Sequence, residues 1–92
     1  MKRATVRIID KQWLSIKYFE QITMLANKYR CDVIFNFDGK IANAKSIINL
    51  MSIFGQIKKL PATVEIFAKG WNDAQEALDS IVKAMKKTKF VL

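Results

Sequence analysis

The sequence predicts an α+β domain whose elements run in the order βαββαβα. Three observations carry that reading. Apolar residues alternate in the segments 3–9, 31–37 and 62–69. They recur at three- and four-residue spacing in three further segments. An Asp-Gly pair at 38–39 joins two strand-like runs, and two-residue hairpin turns need positive φ at both central positions. An antiparallel sheet with its helices on one face buries all these apolar faces together.

The first strand is expected over Arg3–Ile9, with Ala4, Val6 and Ile8 on one face and Arg3, Thr5 and Arg7 on the other. Asp10, Lys11 and Gln12 form a polar break. Ser15 is placed to cap a first helix through its hydroxyl. Ile16, Phe19, Ile22, Ala26 and Tyr29 make the stripe of that helix, which is expected to end near Tyr29 and Arg30. Cys31–Phe37 reads as a strand with Cys31, Val33, Phe35 and Phe37 facing inward and Ile34 outward. After the hairpin turn the returning strand, Lys40–Asn43, is short.

A second helix is expected from near Ser46, with Ile47, Leu50, Met51 and Phe54 at helical spacing, ending at Gly55 or before Pro61. The fourth strand spans Ala62–Lys69, with Val64, Ile66 and Ala68 on its inner face. Asn72 or Asp73 then opens the last helix, whose apolar side is Ala74, Ala77, Leu78, Ile81, Val82 and Met85. Its late lysines suit the negative end of a helix.

Composition bounds the function. The 92 residues, 51% of them hydrophobic, fit one domain over 1–92 with a core of its own. No apolar run approaches the ~20 residues that cross a bilayer, and charges interrupt the N-terminus too early for a signal peptide. A lone cysteine, Cys31, cannot form an internal disulfide, so a cytoplasmic protein without membrane insertion is expected. The net charge of +8 is concentrated at Lys58–Lys59 and at Lys83, Lys86, Lys87 and Lys89. An anionic partner, nucleic acid included, is one reading of this charge. Solvated helix faces are the favoured one, because no aromatic-basic stacking motif accompanies the lysines.

No phosphate loop, dinucleotide glycine pattern or metal-ligand cluster is present, and no carboxylate pair has acid/base spacing, so no enzyme and no cofactor are expected. The βαββαβ order of elements also suggests an RNA-recognition motif, but the aromatic consensus of its central strands is missing. Cys31 reads as a small core residue. Trp13 is expected over the entry to the first helix, and Trp71 over the turn after Gly70.

Asn27-Lys28-Tyr29, Asp32-Val33, Asp38-Gly39-Lys40, Asn43-Ala44-Lys45-Ser46-Ile47, Leu50-Met51-Ser52, and Ala68-Lys69-Gly70 through Glu76-Ala77-Leu78 together resemble HPr. HPr is the histidine phosphocarrier protein of the bacterial sugar phosphotransferase system. The resemblance covers nearly the whole chain and implies an open-faced β-sandwich with strand order 1-4-2-3.

One region departs from the family. Where its members usually read His-Ala-Arg-Pro-Ala, this chain reads Ser15-Ile16-Lys17-Tyr18-Phe19. Ser15 falls at the histidine, Lys17 at the arginine and Tyr18 at the proline. The chain contains no histidine at all. A phosphocarrier needs a nucleophile that forms a labile N–P bond, which imidazole supplies near pH 7. A serine hydroxyl without an adjacent base is a weak nucleophile, and its ester is a poor donor. Lys17 keeps the charge but not the planar fork of arginine. Ser15 therefore reads as an N-cap ahead of a phosphate acceptor, and no catalytic residue is assigned.

The resemblance also implies a regulatory site. Ser46 matches the position that a dedicated kinase phosphorylates in HPr proteins of Gram-positive bacteria. Phosphate there adds about −1.5 to −2 charge at a helix N-terminus. The matching partner-binding residues are Ile47, Ile48 and Met51, with Lys17 and Lys45 placed to ring a phosphate. A Ser-kinase or a transcription regulator of the family type is the implied partner. Asn49 stands where the family has a small residue, and the segment 54–62 is about three residues longer than usual. Finally, Ile34 and Phe67, joined by Ile9, are expected on the open face of the sheet, where a second subunit would form a weak homodimer.

Overall fold

Alternating apolar residues can be buried together only if every strand turns the same parity inward. The computed structural model, which describes residues 1–9 and 11–90 and only the backbone of 12, 13 and 87–90, arranges them so. Asp10 and the expected placements of Trp13, Lys87 and Lys89 side chains thus lie outside the described residues. Strands β1 (Lys2–Ile8), β2 (Asp32–Phe37), β3 (Lys40–Asn43) and β4 (Ala62–Lys69) form one antiparallel sheet in the order β1-β4-β2-β3. Helices α1 (Ile16–Ala26), α2 (Ile47–Phe54) and α3 (Ala74–Phe90) complete the βαββαβα order of an open-faced β-sandwich.

The register explains the core. Val6 lies opposite Val64, Phe35 opposite both Ile66 and Ala42, and Val33 opposite Ala68. These inner-face residues are buried beneath Phe19, Ile22 and Ala26 of α1, Leu50, Ile53 and Phe54 of α2, and Ala77, Leu78, Ile81 and Met85 of α3. Cys31 is a fully buried core residue, as its size suggests. The other face of the sheet stays open. Ile34 and Phe67 are paired there and half-buried, while Ile41, which no periodicity singles out, is 70% exposed.

The hairpin turn is the one its residues require. Asp38 and Gly39 have φ of 54° and 82°, and only short polar or side-chain-free residues adopt that pair readily. Gly55 caps α2 for a different reason. Its φ is ordinary, but a Cβ there would sit 2.9 Å from the Met51 carbonyl oxygen.

Several expected boundaries and contacts move. β1 ends at Ile8, leaving Ile9 exposed beyond it. Part of the expected polar break, Lys11–Leu14, is a 3₁₀ turn. β2 begins at Asp32, one residue after Cys31. α1 stops at Ala26 rather than near Tyr29: the Asn27 N–H makes the last i−4 bond, to the Thr23 carbonyl that its side chain also reaches at 2.8 Å, and the Lys28 and Tyr29 amides turn to i−3 partners. Tyr29 packs half-buried against the core from outside the helix. Ile16 is not part of the buried stripe, since the first turn of α1 leaves it 52% exposed. Met51 is 41% exposed, and the neighbouring Ile53 fills the core in the position expected of it.

Two contacts organise this packing. The Phe54 ring stacks on Phe19 at 5.2 Å and meets Phe35 edge-on at 5.7 Å, joining α2 to α1 and to the sheet. At the far end of α1, the Asp73 carboxylate accepts from the Arg30 backbone N–H at 2.7 Å and from the Cys31 N–H at 3.2 Å, tying the start of α3 to the entrance of β2. The Arg30 bond is the main reason the Asp73 carboxyl titrates below its ordinary value, with the Cys31 N–H adding to it. Burial, and then the Asp73 carboxylate, push the Cys31 thiol up. Trp71 stays exposed beside this junction, with the Arg30 guanidinium 5.1 Å from its ring centre.

Phe54→Ala is expected to cost about 3–5 kcal/mol in denaturant unfolding, as the loss of a fully buried aromatic does. Because the folded Asp73 carboxyl is the stronger acid, its contribution is complete above the unfolded carboxylate pKa of about 3.9 and fades as pH falls through the folded value. The stability difference between wild type and Asp73→Ala should therefore be constant at neutral pH and shrink on acidification below about pH 4. Urea unfolding across pH 2–7 measures it, and a difference that widened in acid would refute the assignment.

Candidate functional site

Helix α2 is short, and its two sides have different fates. Leu50, Ile53 and Phe54 anchor it, so rotation about its axis is fixed. Ile48 is then 74% exposed, Met51 41% exposed, and Ile47 half-buried against the core edge. Apolar side chains are thus left in water beside a polar helix start.

Ser46 takes the N-cap of α2 with extended backbone. Its Oγ accepts from the Asn49 backbone N–H at 3.3 Å and from Asn49 Nδ2 at 3.2 Å. Asn49 Oδ1 accepts in turn from the Asn43 N–H at 3.5 Å, and Asn43 Oδ1 from the Lys45 N–H at 2.9 Å. The end of β3, the turn and the first turn of α2 are thus one hydrogen-bonded unit. The Ser46 cap was legible from residue type. The part played by Asn49 was not, although a polar residue three after a Ser cap is the position from which a side chain reaches back.

Lys45 is half-buried, and its ammonium donates to the Tyr29 carbonyl at 2.8 Å. Together with a 3.4 Å bond from Asn27 Nδ2 to the Lys45 carbonyl, this ties the turn before α2 to the end of α1. In the unmodified chain the Lys45 ammonium is thus bonded to a backbone carbonyl. Lys17 is exposed on the first turn of α1. Ser15 occupies the N-cap of α1, and its carbonyl accepts from the Tyr18 and Phe19 amides at 3.1 and 3.2 Å. Its side chain, however, makes no capping bond, contrary to the expectation for its hydroxyl. Both serines accept through their carbonyls, and Ser46 adds a capping bond through its hydroxyl.

Shallow depressions of about 290 and 260 Å³ lie on either side of Asn49. One is lined by Asp32, Ile34, Ile41 and Asn43, the other by Lys40, Ile48, Ser52 and Gln56. Lys58 and Lys59 are exposed on the segment that follows α2. Among the described residues, no three His, Cys, Asp or Glu side chains cluster as a metal site, and no helix is long and apolar enough to cross a membrane.

Comparison with known proteins agrees with this architecture. The family model for the PTS HPr component phosphorylation site matches residues 2–87. An HPr-like protein Crh of Halalkalibacterium halodurans is 35% identical over 63 residues, which is 67% of this chain and 69% of that one. Among solved structures, the histidine-containing phosphocarrier protein of Mycoplasma superposes with a TM-score of 0.83 at 29% identity, covering 95% of this chain and 94% of that one. Bacillus subtilis Crh, described as a swapped and intertwined dimer, superposes with a TM-score of 0.69 at 32% identity over 79% of each chain. The fold, the strand order and the matched length agree: this chain belongs to the HPr family of the bacterial phosphotransferase system.

Proposed function

We propose that this protein is a regulatory, HPr-like binding protein of the cytoplasm that does not relay phosphate on histidine and is switched by phosphorylation of Ser46. The observation that carries the reading is a hydroxyl N-cap beside exposed Ile48 and Met51, in an HPr-family chain that contains no histidine. Ser15 and Lys17, at the places of the family's histidine and arginine, cannot rebuild the relay. An alcohol gives a stable ester where an imidazole gives a transferable N–P bond.

Ser46 suits a stable modification better. The free amides of the first turn of α2 and the positive end of its dipole favour a phosphate there. The added charge would sit against Ile47, Ile48 and Met51, the proposed contacts for a kinase or a transcription regulator. Lys17 would lie on the partner-facing start of α1. Lys45 would have to exchange the Tyr29 carbonyl for phosphate, so its present bond sets a cost on that contact. A weak homodimer belongs to the same proposal, supported by the dimeric state described for Bacillus subtilis Crh.

Incubation with the family's Ser-kinase and ATP is expected to label wild type on Ser46 and to leave Ser46→Ala unlabelled. Incubation with phosphoenolpyruvate and the first enzyme of the phosphotransferase system is expected to leave both unlabelled. Equal kinase labelling of wild type and Ser46→Ala would reject the switch. Phosphate passed on from phosphoenolpyruvate would reject the loss of relay.

A further inference from the structure

The Ser46 hydroxyl is held more fully than a helix cap requires. An alcohol oxygen has two lone pairs. Asn49 supplies a donor to each, its backbone N–H at 3.3 Å and its Nδ2 at 3.2 Å. The orientation of the amide is set from its other end. The Asn43 N–H can only donate, and it reaches Asn49 Oδ1, which leaves Nδ2 toward Ser46. Asn49 itself is exposed, so its side chain has room to swing away.

Building on the reading of Ser46 as a modification site, we propose that Asn49 is a positioning residue that latches the Ser46 hydroxyl and slows its phosphorylation. In the transfer, a lone pair of Ser46 Oγ forms the new bond to the γ-phosphorus of a nucleoside triphosphate. The bond from that phosphorus to the β–γ bridging oxygen breaks, and its electron pair leaves on the nucleoside diphosphate. The serine proton passes to a base on the kinase. With both lone pairs engaged, attack must first break one Asn49 bond. The backbone N–H is fixed by the helix, so the side-chain amide is the bond that opens. A neutral hydrogen bond lost only on the way to the transition state slows the step roughly two- to tenfold.

The test has two arms. In steady-state phosphorylation by the family's Ser-kinase with ATP, Asn49→Ala should raise kcat roughly two- to tenfold and leave KM nearly unchanged, because Ile48 and Met51 remain in place. Labelling of Asn49→Ala but not of wild type would be the same effect in stronger form. An unchanged or lower kcat overturns the latch. So does a changed KM at constant kcat, which would mark Asn49 as part of the docking surface alone.

The second arm needs no kinase. Ser46→Cys, with and without Asn49→Ala, is alkylated with iodoacetamide across pH, and modification at position 46 is read by mass spectrometry, which separates it from buried Cys31. A donor aimed at the sulfur stabilises thiolate, so the thiol should titrate lower with Asn49 present. Identical titrations overturn the latch even if the kinase labels Ser46. A shifted thiol with no kinase labelling of either protein would overturn the slowing role by removing the modification it acts on, and would locate the fault in the reading of Ser46 rather than in the hydrogen bond.

Discussion

Everything presented at the candidate site depends on the seating of one eight-residue helix. So short a helix has little stability of its own in water. It is held by Leu50, Ile53 and Phe54, and above all by the Phe54 ring lodged between Phe19 and Phe35. That three-ring contact sets the rotation of α2. Once the rotation is set, Ile48 and Met51 must face outward and Ser46 must stand at the junction with β3. The exposed apolar residues are therefore not a failure of burial. They are the remainder of a helix whose one narrow stripe is fully used.

The elements that could be read from sequence are those governed by local rules. Alternation placed Val6, Ile8, Val33, Phe35, Val64 and Ile66 inward, and Asp38-Gly39 placed the hairpin, because strand parity and turn φ are properties of neighbouring residues. The Ser46 cap belongs to the same class. Features set by distant residues were not legible. α1 stops early where the Lys28 and Tyr29 amides turn to the Leu25 and Ala26 carbonyls, a tightening that periodicity does not register. Ile16 fits the spacing of the stripe but lies beyond the reach of the core. Lys45 finds Tyr29, and Asp73 finds Arg30 and Cys31, only after the chain has folded.

Several of the cations behind the charge of +8 have local contacts. The Arg30 guanidinium lies over Trp71, Arg3 stands 3.7 Å from Glu65, Lys45 is spent on a backbone carbonyl, and Lys40 donates to Gln56. Of these four cations only Arg3 faces an opposite charge. Exposed pairs of this kind add little stability. What they do is hold long side chains down against the surface.

The two serine-capped helix starts separate two uses of phosphate. A relay needs a nucleophile whose phosphorylated form is unstable enough to give the group away, and this chain has no histidine, with an alcohol, Ser15, at the start of α1. A switch needs the opposite, an ester that persists and a charge that its surroundings can read. The start of α2 has what a switch requires, namely first-turn amides, a helix dipole, and apolar residues exposed beside the hydroxyl. Under the proposed reading, losing imidazole chemistry at one helix does not disturb the other, because they share a core contact, Phe19 with Phe54, and not a reactive group. The core contact keeps α2 in place whatever residue stands at the start of α1, so the scaffold can lose its relay and still carry a switch.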